Sequence, residues 1–313
     1  MHDREGLPPA PGARPADVVG NPWLERRVVA YAHQGGAWEA PSSTLYAIER
    51  ALRSGATAIE LDVHATADRQ LVVCHDETVD RTTDGHGRIA DLTLAELQAL
   101  DNAYWWAPGA DVSPGLDPAA YPLRGRAPGD RSYGIVTLEE VLASFPDVVL
   151  NLDIKETAPA VVPYEEALAD LLRRYGRGED VIVASFLDIA TDSFSRYAPE
   201  IPTSAGTVAT GSFVRAVRAG ADPPALRAVA LQPPARLGDS VVVDRALVEA
   251  AHEHGLAIHV WTINDEAEME RLCSLGADGI ITDCPSVLRQ VLDRRGMAWE
   301  PERSGPARTH REG

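Results

Sequence analysis

Two short segments carry carboxylates where a β-type pattern would place apolar residues: IELDV (59–63) and NLDIK (151–155). In a strand, residues of equal parity face the same way, so Glu60 and Asp62 share one face, as do Asn151, Asp153 and Lys155. Two apolar runs close on a histidine: VVAYAH on His33, and LVVCHD (71–76) on His75. Three carboxylates gathered at one place repel each other unless something compensates them. Oxygen-only ligands select hard cations, so Glu60, Asp62 and Asp153 point to one divalent ion, Mg²⁺ or Ca²⁺, and not to zinc. Such an ion would polarise the oxygens of a phosphate ester. His33 and His75 could then serve as general base and general acid. Lys155, the single lysine of the chain, would add a fixed positive charge.

These residues need a scaffold that brings strand ends together. Apolar runs alternate with helical patterns along the chain. The predicted strands are 28–32, 58–63, 148–154, 181–185, 201–205, 228–232, 257–261 and 279–283. Helices are predicted at 44–54, 137–144, 161–175, 188–197, 209–219, 244–254, 265–275 and 285–294. Thr137 and Asp265 suit helix N-caps, while Gly55, Gly176, Gly220, Gly255 and Gly276 follow the helices as C-cap residues would. Eight βα alternations predict an α/β fold of the (β/α)₈ TIM-barrel type, with a doubly wound sheet as the rival. In a barrel, polar residues at the C-terminal strand ends form the catalytic mouth. His33, Glu60, Asp62, Asp153, Lys155, Trp261 and Asn264 all stand at such ends, and His75 ends an extra segment just after strand two.

Residues 23–295 read as one barrel domain with an insertion at about 71–135. Residues 1–22 read as a disordered leader and 296–313 as a flexible tail. Among the other histidines, His259 suits a satisfied core position, His252 and His254 an exposed helix, and His86 a turn. His64 shares the parity of Asp62 and stays undecided. The aromatic run Tyr104-Trp105-Trp106 fits either loop packing or contact with an acyl chain.

The chain has 313 residues and a formal net charge of -18. That balance disfavours nucleic acid and anionic membrane surfaces as partners. No apolar run approaches the roughly 18 residues of a membrane span. The three scattered cysteines suggest free thiols, and the polar N-terminus lacks a secretory h-region, so a cytoplasmic location is expected. Oligomeric state is not legible.

At these residues the chain resembles the glycerophosphodiester phosphodiesterase family. The resemblance spans about 28–294 and rests on AHQGG (32–36), APSST (40–44), IELDV, VVCHD (72–76) and DRTTDGHGRIADLTLAEL (80–97). TLEEVL (137–142), NLDIK, VWTIN (260–264) and ITDCP (281–285) follow in order. It implies a (β/α)₈ barrel in which His33 and His75 are the acid–base pair and Glu60, Asp62 and Asp153 bind the metal. Gln34, Lys155 and Trp261 would contact a small phosphodiester substrate. Three positions depart from the family pattern. Gln34 replaces an arginine and keeps a donor without the charge, Ser42-Ser43 replaces Glu-Asn, and Asp153 replaces a glutamate. Glu39 is a candidate to compensate nearby. The implied activity is hydrolysis of glycerophosphodiesters to glycerol phosphate and an alcohol. The alternatives are the same chemistry on a lysophospholipid or polymeric glycerol phosphate, or a non-catalytic barrel binding a phosphorylated ligand.

Overall fold

The computed structural model describes residues 20–301, apart from 111 and 113. One helical turn, α1 (Pro22–Glu25), precedes β1 (Val29–His33), α2 (Leu45–Arg53) and β2 (Ala58–Ala65). Then come β3 (Leu71–Val73), α3 (Leu94–Gln98), β4 (Val136–Thr137), α4 (Leu138–Ser144) and β5 (Val149–Ile154). They are followed by α5 (Glu165–Arg174), β6 (Val181–Ala184), α6 (Asp188–Tyr197) and α7 (Thr207–Arg218). The last third holds β7 (Ala230–Leu231), a hairpin of β8 (Arg236–Leu237) and β9 (Ser240–Val241), and α8 (Arg245–Glu253). β10 (Ala257–Val260), α9 (Glu266–Leu275), β11 (Gly279–Thr282) and α10 (Pro285–Arg295) complete it.

The parallel strands close on themselves. β1 pairs with β2 and β11, β2 with β5, β5 with β6, and β10 with β7 and β11. Between β6 and β7 the fifth stave is reduced to Thr203 and Ser204, which bridge Val183 and Ala230. The strand predicted at 201–205 shrinks because Pro202 has no N–H to give a ladder. The molecule is therefore a (β/α)₈ barrel.

Period-two alternation decides what fills it. One parity points inward: Val29 and Tyr31, Ala58, Val149, Ile182, Ala230, Ala257 and Ile281 form an interior cluster. Going up the same tracks, β1 reaches His33, β2 reaches Glu60 and Asp62, and β5 reaches Asn151 and Asp153. The opposite parity (Ile59, Leu61, Leu150, Leu152, Val181, Val183) packs under the helices. Both faces of the staves are buried, which explains their near-continuous apolar runs.

The helices begin and end as their residues demand. Thr137 forms a full capping box with Glu140, and Asp265 accepts from Glu268 N. Such caps contribute about 1 kcal/mol each. The five expected C-cap glycines all have positive φ, from 63° to 95°. The helix predicted from 161 starts only at Glu165, because Pro163 lies one residue before its N-cap Tyr164.

At the base of the barrel Trp23 from α1 is wholly buried. Most of the predicted leader and tail falls outside the described residues. Of the parts described, Asn21 donates to Val229 O and Gly255 O, Met297 O accepts from Val28 N at 2.9 Å, and Trp299 packs against the interior cluster. After β2, β3 and β4 extend the sheet in antiparallel sense. In the insertion, the Arg124 guanidinium lies 4.3, 4.7 and 3.9 Å from the ring centres of Tyr104, Trp105 and Tyr121. Trp106 donates to Ala37 O. The Tyr104–Trp106 run is thus loop packing. Among the described residues no helix is long and apolar enough to cross a membrane. Cys74, Cys273 and Cys284 are free and buried.

Candidate active site

Sheet register assembles the site. Across β1 and β2 His33 stands beside Glu60, and across β2 and β5 Asp62 stands beside Asp153, with Glu60 beside Asn151. These side chains, with His75, Lys155 and Trp261, line one cavity of about 470 Å³ at the C-terminal end of the barrel. His75 arrives differently. β3 runs back along the extension of β2, Cys74 N donates to Asp62 O, and the next residue is delivered over the mouth. The two imidazoles stand with ring centres 6.2 Å apart and planes at 82°.

Each histidine is held from behind by a carboxylate. His33 Nδ1 pairs with Asp283 Oδ1 at 2.7 Å. Asp283 Oδ2 accepts from Asn264 Nδ2, and Asn264 Oδ1 accepts from Asp283 N and Thr282 Oγ1. His75 Nδ1 pairs with Asp76 Oδ1 at 2.6 Å, and Asp76 also receives Arg81 Nε at 2.6 Å. A carboxylate on Nδ1 fixes the tautomer and turns each Nε2 away from its brace; that of His33 has the Gln34 side-chain amide 3.2 Å away. Burial opposes protonation of His33, but the Asp283 hydrogen bond and the charges of Glu60, Asp283 and Asp62 outweigh it and raise its pKa to about 9. Burial would raise Asp76, yet the His75 and Arg81 bonds bring it well below the usual carboxylate range.

The acid cluster is buried and strained for charge. Burial, then the Asp62 charge, pushes Glu60 upward, and burial likewise raises Asp153 against the pull of Lys155. Lys155 Nζ lies between two of the acids, 3.1 Å from Asp62 Oδ1 and 3.4 Å from Asp153 Oδ2. Burial would lower its pKa; the two carboxylates raise it above the ordinary lysine value. Among the described residues no three His, Cys, Asp or Glu side chains are drawn together as a finished metal-binding set. Two buried oxygens of this acid cluster nevertheless lack any hydrogen-bond partner: Asp62 Oδ2 and Asp153 Oδ1. Orphaned carboxylate oxygens beside a third acid suit a hard, oxygen-loving cation.

The remaining sequence-predicted residues are distributed as follows. Gln34, at φ 53°, gives its backbone N–H to Glu60 Oε2, and its side-chain amide lies 3.2 Å from His33 Nε2. Its side chain is buried against the histidine. Trp261 donates to Gln232 O and stacks edge-on with Phe186 at 5.3 Å. Glu39 lies away from the pocket residues and accepts from Ser286 N and Oγ at the start of α10. It caps a helix. His64 is buried, bonded to Glu156 and to His75 O, so it supports the histidine loop from beneath. His259 is wholly buried at the barrel base beside Tyr31.

Asp283, Asp76 with Arg81, Phe186 and the Asn151–Gln232 amide pair were not among the predicted site residues. Asp283 had a signal: it ends the last predicted strand on the same side as His33, and barrel closure makes those strands neighbours.

The profile of the glycerophosphoryl diester phosphodiesterase family matches residues 33–287. A glycerophosphodiester phosphodiesterase of Caldanaerobacter subterraneus is 32% identical over 276 residues, covering 86% of this chain and 100% of the relative. A human lysophospholipase D is 26% identical over 283 residues, covering 83% of this chain and 85% of the relative. In fold, an Oleispira antarctica phosphodiesterase solved with the product sn-glycerol-3-phosphate has a TM-score of 0.65 at 24% identity, covering 87% of this chain and 99% of that one. The chain is an enzyme of the glycerophosphoryl diester phosphodiesterase family.

Proposed function

We propose that this chain hydrolyses glycerophosphodiesters to glycerol phosphate and an alcohol, with His33 and His75 as the acid–base pair. The observation that carries it is the convergence of two carboxylate-braced imidazoles on one side of a buried acid cluster. One Nε2 takes the proton of the attacking hydroxyl, either that of water or that at the glycerol 2-position; the latter attack gives a cyclic phosphate, which a water then opens to glycerol phosphate. The other Nε2 gives a proton to the departing alkoxide, so the P–O bond breaks without releasing a naked alkoxide. Asp283 and Asp76 stabilise whichever imidazole is charged and keep both rings aimed. Lys155 adds positive charge toward the phosphoryl oxygens, which the acidic chain otherwise denies them. Glu60, Asp62 and Asp153 are the residues that would hold one Mg²⁺ or Ca²⁺. When bound, that ion supplies Lewis-acid polarisation of the phosphoryl oxygens.

The test is a panel of soluble phosphodiesters (glycerophosphocholine, glycerophosphoethanolamine, glycerophosphoinositol) incubated with chelator and then with single metals restored. Release of glycerol phosphate that depends on Mg²⁺ or Ca²⁺ is the expected result. Tight metal binding with no turnover on any ester would instead favour a non-catalytic binding barrel.

A further inference from the structure

The floor of the active-site cavity carries a feature that the acid–base chemistry does not use. Asn151 Nδ2 donates to Gln232 Oε1 at 3.3 Å, and Gln232 Nε2 donates back to Asn151 Oδ1 at 3.0 Å. Both side chains line the cavity. Asn151 is 2% exposed and stands on the inner track of β5, one step below Asp153 and beside Glu60. Gln232 follows β7, and the Trp261 indole fixes its backbone by donating to Gln232 O at 2.6 Å. One step lower, Val149, Ile182 and Ala230 close the barrel with hydrocarbon.

The pair is thus a neutral polar floor between an acid cluster and an apolar plug. Stability alone would fill this height with branched apolar residues, as happens below. A reciprocal amide pair uses one donor and one acceptor of each partner, so each amide keeps one N–H and one carbonyl lone pair. An N–H beside a carbonyl oxygen complements a hydroxyl, which both gives and accepts. It offers no counter-charge to an ammonium or a phosphate. The height fits as well. Two strand residues rise about 6.6 Å, so Asn151 lies that far beneath the level of Asp153. An extended glycerol phosphate spans a similar length from phosphorus to its terminal hydroxyl. Because the floor is closed, the departing alcohol faces the open mouth.

We propose that Asn151 and Gln232 are specificity-determining residues that recognise the terminal free hydroxyl of the glycerol moiety. Glycerol sits at the floor with the phosphate above it at Lys155, and a diester lacking that hydroxyl is the poorer substrate. The proposal rests on the hydrolase reading of the same site.

Two measurements on the full chain, with Mg²⁺ or Ca²⁺ supplied, separate the two readings. The first is the ratio of kcat/KM for glycerophosphocholine to that for 2-hydroxypropyl phosphocholine, which keeps the 2-hydroxyl and lacks only the terminal one. A buried hydrogen-bonding group left unpaired is worth roughly 5–150-fold, and wild type should prefer glycerophosphocholine by a factor in that range. Asn151→Leu/Gln232→Met exchanges both amides for apolar groups of similar shape, and its ratio should fall to within about threefold of one. A purely structural pair would lower both rates together and leave the ratio unmoved. Where a thermal melt shows the double variant unfolded, Gln232→Met alone, at a half-buried position beyond β7, gives the same readout. The second measurement is calorimetric binding of glycerol phosphate against propane-1,2-diol 1-phosphate, which needs no turnover. Both esters cleaved at equal kcat/KM, or a ratio that the variants leave unchanged, overturns the role of the pair and keeps the hydrolase reading. Tighter binding of glycerol phosphate with neither ester cleaved leaves the pair standing and removes the hydrolase reading. Equal binding with neither ester cleaved removes both.

Discussion

Replacing Asp283 by asparagine should damage the enzyme more than replacing it by alanine. The reason lies in Asn264. Its Oδ1 accepts from Asp283 N, a group that can only donate, so its amide NH₂ necessarily faces the Asp283 side chain, where it lies 2.7 Å from Oδ2. In Asp283→Asn the new amide oxygen must turn toward that NH₂, and its own NH₂ is then forced onto His33 Nδ1. That inverts the tautomer: Nδ1 becomes the acceptor and Nε2 carries the proton in the neutral ring. The lost charge-assisted hydrogen bond, 2.7 Å long to a carboxylate whose side chain is 12% exposed, is worth about 1.5–3 kcal/mol to the imidazolium. That equals roughly 10–150-fold in kcat/KM, which is the effect expected of Asp283→Ala. Tautomer inversion adds to it; in Ser-His-Asp triads the same exchange costs about 10⁴-fold. The expected loss for Asp283→Asn is therefore on the order of 10²–10⁴-fold. The assay is kcat/KM on glycerophosphocholine by coupled oxidation of released glycerol phosphate, with a thermal melt to show that both variants fold. Asp283→Asn within threefold of wild type, or less damaging than Asp283→Ala, would refute the tautomer reasoning.

Three further outcomes follow from the geometry. In Gly279→Ala the added Cβ meets His259 Cδ2 at 2.7 Å and Tyr31 Cε2 at 3.0 Å in the packed barrel base, so a loss of about 1–3 kcal/mol and a lower Tm are expected; an unchanged melt contradicts the tight base. Burial lowers the pKa of His259 to about 4. A base depressed on folding stays neutral in the native state, so its stability is intact above the unfolded value near 6.5 and is lost as pH falls from there toward 4. At pH 5 that is on the order of 2 kcal/mol relative to pH 7, and urea unfolding of His259→Phe should show that much less acid sensitivity than wild type. Lys155→Met removes the ammonium from between Asp62 and Asp153. Its Tm should climb more steeply than that of wild type as Ca²⁺ or Mg²⁺ is added, and its turnover should fall at least tenfold; identical metal titrations would contradict the shared-charge picture.

Much of the site was legible because period-two alternation leaves little choice. Once β1, β2 and β5 are parallel staves, His33, Glu60, Asp62 and Asp153 must share the inner track, and Lys155 follows one residue past β5. The fifth stave is shorter than the predicted 201–205, and the sign was in the sequence: Pro202 inside the segment Ile-Pro-Thr-Ser-Ala cannot donate to a ladder. The partners of the histidines were harder. Asp283 lies 250 residues from His33 and meets it only through ring closure between β1 and β11. Asp76 is adjacent in sequence, yet its value comes from Arg81 curling back five residues later. Phe186 and Leu237 carry no chemical signature, and only loop packing around the barrel sets them on the cavity wall. Glu39 looked like a compensating charge by its proximity in sequence, whereas the turn at Gln34–Gly36 sends it to cap α10.

The most direct measurement is glycerol phosphate release from glycerophosphocholine by metal-stripped, singly reconstituted protein, compared among wild type, His33→Ala, His75→Ala and the double variant. Turnover that appears only with a divalent ion and falls on the order of 10²–10⁴-fold with either histidine removed is expected. Wild-type turnover in the double variant would contradict the assignment of His33 and His75 as the acid–base pair.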